Sequence, residues 1–163
     1  MSDQTRRSVA DEIGQRIPFA SAGQEAMVAL MRTADVIRWT LGQGMAPAGL
    51  TLQQYNVLRI LRGAGSDGLP TLEIGNRMVE RQPGVTRLVD RLISKGLVQR
   101  ARSEGDRRVV RCTITPEGAT VLADLDAVVE DADKTMKEAL GAAGLSRLIE
   151  SLDVLRAALH VDE

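Results

Sequence analysis

The feature that most constrains the fold is a change of hydrophobic period at Gly96. Before Gly96, apolar residues recur three and four positions apart, as on one face of a helix: Val85, Leu88, Val89, Leu92 and Ile93. After it, residues 97–115 alternate between apolar and polar, which is the pattern of a half-buried β-strand. Glu104-Gly105-Asp106 interrupts the alternation and predicts a turn. The sequence therefore predicts a helix joined directly to a two-stranded hairpin.

A second short helix is predicted just before this one. Thr71 begins an apolar pattern that continues to about Met78, and Gln82-Pro83-Gly84 separates it from the helix that runs to about Lys95. Pro83 suits the first turn of that helix, because its missing N–H would have no partner there. Two short helices joined by a tight turn predict a helix-turn-helix, with the hairpin as a wing behind it.

Longer helices are predicted on both sides of this unit. Residues 21–42 have an amphipathic helical pattern, and Thr51 with Gln54 has the spacing of a capping box for a further helix. Pro116 begins a long helix to about Leu140, the glycines at 141 and 144 break it, and a last helix covers roughly 145–159. The predicted fold class is mainly α with a small β-hairpin wing, and residues 1–20 form an N-terminal arm.

Composition excludes several other classes of protein. A length of 163 residues fits one compact chain, and one Cys with one His cannot form a structural zinc site. No membrane span or secretory signal is evident, so a cytoplasmic location is expected. There is no phosphate-binding glycine loop and no clustered catalytic set, so neither an enzymatic activity nor a cofactor or metal is expected.

Charge is distributed unevenly along a chain whose net charge is −1. Residues 77–111 hold ten basic and four acidic side chains, for +6, whereas residues 112–163 hold four basic and eleven acidic, for −7. A basic central block is typical of a surface that binds a polyanion, although an unevenly charged solvated surface is equally compatible with it. The predicted hairpin alone carries five arginines, which repel one another unless an anion or local ion pairs offset them: Arg100, Arg102, Arg107, Arg108 and Arg111.

The chemistry of the second short helix fits a DNA major groove. Arg87 lies off the apolar stripe and has the geometry to read guanine, and Thr86 has the reach for a base edge or a thymine methyl. The helix N-terminus offers N–H groups to phosphate. The residues predicted to bind DNA are Gln82, Pro83, Gly84, Thr86, Arg87, Asp90, Arg91, Arg107 and Arg108.

Three segments in order resemble the MarR (multiple antibiotic resistance regulator) family: residues 87–100, then Asp106-Arg107-Arg108, then Ile114-Thr115-Pro116-Glu117-Gly118. The match in order and spacing covers about residues 25–160. The resemblance implies a homodimer that binds palindromic double-stranded DNA, usually as a repressor. It implies that residues 21–50 and 116–163 dimerise and that residues 51–115 form the winged helix-turn-helix. In the wing, it implies that Asp106 holds Arg108 while Arg107 or its neighbour reaches the minor groove.

The resemblance also implies release by a small-molecule effector. An aromatic or phenolic compound is expected, and Met31, Trp39 and Tyr55 are candidates to line its pocket, although aromatic and Met residues at helical spacing are more often part of the core. Cys112 is expected to be buried with Val110 and Ile114 and to be inert rather than a redox sensor. Because Gln82-Pro83-Gly84 offers few hydroxyls, a winged-helix interaction protein without sequence-specific DNA binding is the alternative function.

Overall fold

The computed structural model describes residues 7–80, 83–102 and 110–159. The chain divides into two compact units, residues 1–43 and residues 44–163. Within the described ranges, no helix is long and apolar enough to cross a membrane, and no group of three or more His, Cys, Asp or Glu side chains could hold a metal ion.

The first unit contains helix α1 (Val9–Ile13) and most of helix α2 (Ala22–Met45). The sequence shows no hydrophobic periodicity over α1, because this helix buries no residue and is stabilised by the capping interactions at its two ends. Ser8 and Asp11 form a reciprocal capping box, and Gly14 ends the helix in the left-handed conformation at φ 67°. An ion pair of 3.3 Å between Glu12 and Arg32 joins α1 to α2.

The second unit has the predicted order of helices and strands. It consists of α3 (Leu52–Ala64), α4 (Thr71–Asn76), α5 (Val85–Ser94), strands β1 (Val98–Arg102) and β2 (Val110–Ile114), and α6 (Pro116–Leu159). Short 3₁₀ turns cover Ala46–Ala48 and Gly65–Asp67. The predicted class, mainly α with a β-hairpin wing, is confirmed.

The start of α3 follows the sequence prediction, and the start of α5 departs from it. Thr51 and Gln54 cap α3 reciprocally, with the Thr51 hydroxyl accepting from the Gln54 N–H at 3.2 Å. The prediction that Pro83 occupies the first turn of α5 is wrong, because α5 begins at Val85 with Gly84 as its N-cap. Gly84 has φ 91°, a left-handed conformation that a glycine adopts without strain. The chain changes direction at this residue, and α5 begins directly after it.

The hairpin is tied to the segment before α4. Strands β1 and β2 are antiparallel, with Val98 paired to Ile114 and Arg100 paired to Cys112. Leu69 extends the ladder through two backbone hydrogen bonds with Cys112, of 2.9 and 2.8 Å. The expected burial of Cys112 is confirmed, whereas Val110 is 45% exposed because it pairs with Arg102 at the outer end of the ladder, beyond the core.

The core of the second unit collects residues from every long element in it. Val57, Leu58 and Leu61 of α3 are fully buried together with Ile74 of α4, Val89 and Leu92 of α5, Cys112 of β2 and Leu122 of α6. Tyr55 is the only aromatic residue of this core among the described residues, so branched aliphatic side chains fill most of the space.

The hairpin and the start of α6 meet in a close backbone contact. The Thr115 hydroxyl accepts from the Gly118 N–H at 3.0 Å and donates to the Gly96 carbonyl at 2.7 Å, so that it caps α6 and fixes the turn after α5. A Cβ on Gly118 would lie 2.2 Å from the Leu97 carbonyl oxygen. Only a glycine therefore allows α6 to begin this close to the start of β1.

The break predicted at Gly141 is confirmed. Two helical stretches meet in a kink at this residue, which has φ 63° and ψ 171°, and α6 denotes both of them together, from Pro116 to Leu159. Gly144 keeps helical geometry, so a single residue produces the kink and no loop follows it.

Replacing Gly118 with alanine should destabilise the protein by about 1–3 kcal/mol or more, because the new methyl group would overlap the Leu97 carbonyl oxygen, which belongs to the backbone and cannot rotate away. Urea unfolding would measure the change. Gly63→Ala is the matched control: Gly63 is helical and a Cβ there meets nothing within 4 Å. This control should be stabilising by up to about 1 kcal/mol. Equal effects of the two substitutions would contradict the crowding argument.

An ion pair also joins α3 to α6. Arg62 donates to both carboxylate oxygens of Asp126, at 2.7 and 3.3 Å. The pKa of Asp126 lies below its ordinary value, chiefly because of the hydrogen bonds from Arg62. Both side chains remain partly exposed, so the pair contributes at most about 1 kcal/mol.

Asp126→Asn should therefore lower stability only where the carboxylate is ionised. Because the folded pKa is lowered, the contribution of the pair is fully present above the unfolded value of about 3.9 and is lost as pH falls through the folded value. Urea unfolding of both proteins from pH 7 to pH 2.5 should show a difference of up to about 1 kcal/mol that shrinks below about pH 4. A difference independent of pH would contradict the assignment.

Candidate nucleic-acid interface

Helices α4 and α5 form a helix-turn-helix that is braced by α3. Ile74 of α4 and Val89 and Leu92 of α5 are fully buried against α3 residues of the core. The Asn56 side-chain oxygen of α3 accepts a hydrogen bond from the Val79 N–H at 2.9 Å, and Gln53 donates to Glu80 at 3.3 Å. Polar side chains of α3 thus hold in place the segment that connects α4 to α5.

The opposite face of α5 is exposed and carries the predicted DNA-binding residues. Thr86, Arg87, Asp90 and Arg91 are all exposed, as are Pro83 and Gly84 in the turn before the helix. Arg87 and Arg91 form no ion pair or side-chain hydrogen bond with another residue in the part of the chain that the structure describes. The structure therefore brings six of the nine predicted DNA-binding residues to one end and one face of α5.

The N-terminus of α5 lies at the same end as these residues. Gly84 is the N-cap and supplies no side-chain acceptor to the first turn. The first N–H groups of a helix have no partner within it, and the helix dipole makes that end attractive to anions. Since Pro83 and Gly84 are exposed, a phosphate could approach this end closely.

Asp90 has a partner within the protein. Its carboxylate forms an ion pair of 2.7 Å with Arg100 of β1, which connects α5 to the hairpin. Partial burial opposes the charge on Arg100, but hydrogen bonds to Cys112 and Asp90 outweigh that effect and hold the pKa of Arg100 above its ordinary value. Cys112, which was expected to have no cation on its strand face, therefore lies beside one, because Arg100 is its partner across the hairpin.

Arg111 is also used within the fold. Its guanidinium donates to the carbonyl oxygens of Gly68 and Asp67, at 3.1 and 3.5 Å. Of the two alternatives that the sequence left open for the hairpin arginines, an external anion or local interactions, Arg100 and Arg111 follow the second. The side chain of Arg102, together with Gln82, Asp106, Arg107 and Arg108, lies outside the described residues.

The candidate effector residues lie in different units. Met31 and Trp39 belong to the first unit and are 59% and 66% exposed. Tyr55 belongs to the second unit, where it is buried among core residues. Burial is the main cause that raises the pKa of the Tyr55 hydroxyl, and a hydrogen bond to Asp126 adds to it.

Two functional roles were missed by sequence reasoning. Nothing in the spacing of Asn56 indicated that it would hold the turn between α4 and α5, because a side chain that accepts from a backbone N–H 23 residues away leaves no periodic signal. The pairing of Asp90 with Arg100 left no periodic signal either, since it joins a helix to a strand. An acidic residue in a basic block was the single available hint.

Comparisons with known proteins agree with this geometry. The family model of the MarR family matches residues 50–110. The chain is 38% identical over 76 residues to the HTH-type transcriptional repressor MdtR of Bacillus subtilis (strain 168), a stretch that is 47% of this chain and 48% of MdtR. The chain thus spans about half the length of this curated relative.

Solved structures match over more of the chain. A MarR transcription factor from Planctomyces limnophilus is 36% identical, with a TM-score of 0.62 over 84% of this chain and 99% of that one. The transcriptional repressor CouR, bound to a 23-mer DNA duplex, is 25% identical, with a TM-score of 0.73 over 87% of this chain and 99% of that one.

Removing the side chain of Asn56 should loosen the turn between the two short helices. In Asn56→Ala, the Val79 amide loses its hydrogen-bond acceptor, so its hydrogen exchange should accelerate by about 5- to 10-fold, which corresponds to a bond of about 1 kcal/mol. Exchange mass spectrometry would measure it. Asn56→Asp, which keeps an acceptor oxygen, is the matched control. Unchanged exchange at Val79 in the alanine variant would show that the bond does not hold the turn.

Proposed function

Since the chain belongs to the MarR family, we propose that it is a sequence-specific transcriptional regulator that binds palindromic double-stranded DNA as a homodimer and acts as a repressor. The supporting observation is the exposed face of α5, where Arg87 and Arg91 have no partner among the described residues. A helix presented by a helix-turn-helix, with arginines on its outer face, fits the major groove. As a DNA-binding regulator, the protein is assigned to the cytoplasm and no catalytic activity is proposed for it.

The residues of the α5 end have separate roles in this proposal. Arg87, in the first turn, reads a guanine edge through two parallel hydrogen bonds, and Thr86 contacts a neighbouring base. Arg91, one turn further on, binds backbone phosphate, and the N-terminus of α5 at Gly84 binds another. Gln82 is proposed as a further DNA contact.

The wing contributes a second contact. Arg107 or Arg108 enters the minor groove beside the site that α5 reads, and Asp106 orients Arg108. With both contacts, one subunit reads one half-site, and a twofold dimer reads a palindrome whose half-sites lie about one helical turn of DNA apart.

Exposed apolar side chains support the homodimer. Met27, Met31 and Trp39 of α2 are more than half exposed, as are Ile149, Val154 and Leu159 near the end of α6. Apolar surface in such amounts on terminal helices is typical of a face covered by a partner, and a second copy of the chain is the partner that the family implies.

Release by a small aromatic or phenolic effector is part of the proposal. Trp39 and Met31 offer aromatic and thioether surface, and Tyr55 offers a hydroxyl, which are suitable groups for such a ligand. The Asp126 carboxylate adds to the rise in the pKa of the Tyr55 hydroxyl, so an effector that binds this hydroxyl would meet a carboxylate near it.

Arginine substitutions on α5 test the proposal. A binding site for the wild-type protein would first be identified in DNA from upstream of its own gene. Binding is measured at about 150 mM salt with excess scrambled competitor, because non-specific binding is weak under these conditions. Arg87→Ala should weaken binding to the selected site by about 1–3 kcal/mol and relax its sequence preference. Arg91→Ala should weaken all sequences alike and reduce the slope of affinity against salt by about one.

The matched control is Lys134→Ala, which removes one cation from α6 outside the helix-turn-helix and hairpin. It should leave the affinity unchanged. Unchanged affinity in both arginine variants would contradict the assignment of this surface. Wild-type binding that no sequence improves, beside a tight protein complex in pull-downs, would favour the alternative of a winged-helix interaction protein.

A further inference from the structure

We propose that Arg100 is a positioning residue that engages the Asp90 carboxylate and so keeps the arginines of α5 free to bind DNA. This inference rests on the proposed function and changes the roles of two residues in it. Asp90, predicted from the sequence as a DNA contact, is instead the ion-pair partner of Arg100 within the protein. Arg100 acts on DNA binding through Asp90 rather than by touching DNA.

The first support is the geometry of the pair. The Arg100 guanidinium lies 2.7 Å from the Asp90 carboxylate, across the gap between β1 and the outer face of α5. The backbone of Arg100 is held in place by its strand partner Cys112. Cys112 is fully buried, and on its other side it forms two backbone hydrogen bonds with Leu69. Residues paired across a hairpin lie on the same face of the sheet, so the Arg100 side chain extends toward Asp90 from a backbone position that is fixed beside the core.

The second support is the position of Asp90 between the two exposed arginines. Asp90 follows Arg87 by three residues and directly precedes Arg91. Side chains three residues apart lie on the same helix face and form ion pairs readily. If Arg100 were absent, the Asp90 carboxylate would be free to pair with Arg87, and that pair would have to break before Arg87 could reach a base.

The third support comes from what the pair does not contribute. The side chains of Arg100 and Asp90 are 32% and 51% exposed, and ion pairs this accessible to water add little to folding stability. Folding stability therefore does not explain the role of this ion pair. A carboxylate on a surface that meets phosphates repels them unless a cation neutralises it, and Arg100 supplies that cation from inside the protein.

A double-mutant cycle tests the inference with the full-length protein and the DNA site that the wild type selects. The variants are Arg100→Ala, Asp90→Asn and the two combined, with Arg100→Lys as the conservative variant. Each affinity is measured over a range of salt concentrations, and thermal unfolding checks that each variant folds. Asparagine keeps the shape of Asp90 and removes only its charge.

Arg100→Ala should weaken binding by about tenfold, because the freed carboxylate then competes with DNA for Arg87. In the Asp90→Asn background the same substitution should have almost no effect, so the double variant should bind within about twofold of Asp90→Asn. Arg100→Lys should recover part of the loss, since it restores a cation beside Asp90.

A loss that is equal in both backgrounds, with the salt slope reduced by about one, would identify Arg100 as a direct phosphate contact and overturn the inference. An unchanged affinity in Arg100→Ala would also overturn it. The wild-type measurement separates the two hypotheses: if the wild type selects a site, only the inference is at stake in the cycle. If it selects none, the proposed function fails, and the inference fails with it.

Discussion

Burial of α3 is the constraint on which the second unit depends. Helices α4, α5 and α6 and strand β2 all pack against α3, and its residues Val57, Leu58 and Leu61 are completely excluded from water. The same helix supplies Asn56 to the turn of the helix-turn-helix and Arg62 to α6. The orientation of α5, and therefore of any surface it presents, is set by its packing against α3.

The elements of this unit were predictable because each carries its own local signal. The period of α5, the alternation of the hairpin and the capping box at Thr51 depend on neighbours within a few residues, and all three are found in the structure. The start of α5 was misplaced because the sequence offers two candidates, Pro83 and Gly84. Proline is only preferred in the first turn of a helix. The left-handed conformation of Gly84, in contrast, prevents α5 from extending back to Pro83.

The candidate site was less predictable, because its arrangement depends on contacts between distant parts of the chain. Exposure of Arg87 and Arg91 follows from the apolar stripe of α5 and was visible in the sequence. The internal use of Arg100 and Arg111 was not, since nothing in the sequence marks which of the five hairpin arginines face Asp90 or a backbone carbonyl. The prediction of burial for Cys112 was correct, but the cation beside it could be found only from the strand register.

These contacts change the meaning of the basic block. Residues 77–111 carry a net charge of +6, but several of these cations are engaged within the protein. Arg77 pairs with Glu73, Lys95 binds the Gly49 carbonyl, and Arg100 pairs with Asp90. Among the described cations of the block, Arg87 and Arg91 are left without such a partner, and both lie on the outer face of α5. Within the described part of the block, the uncompensated charge therefore lies on one helix, which is what binding in a single register on DNA requires and what a diffuse basic surface would not provide.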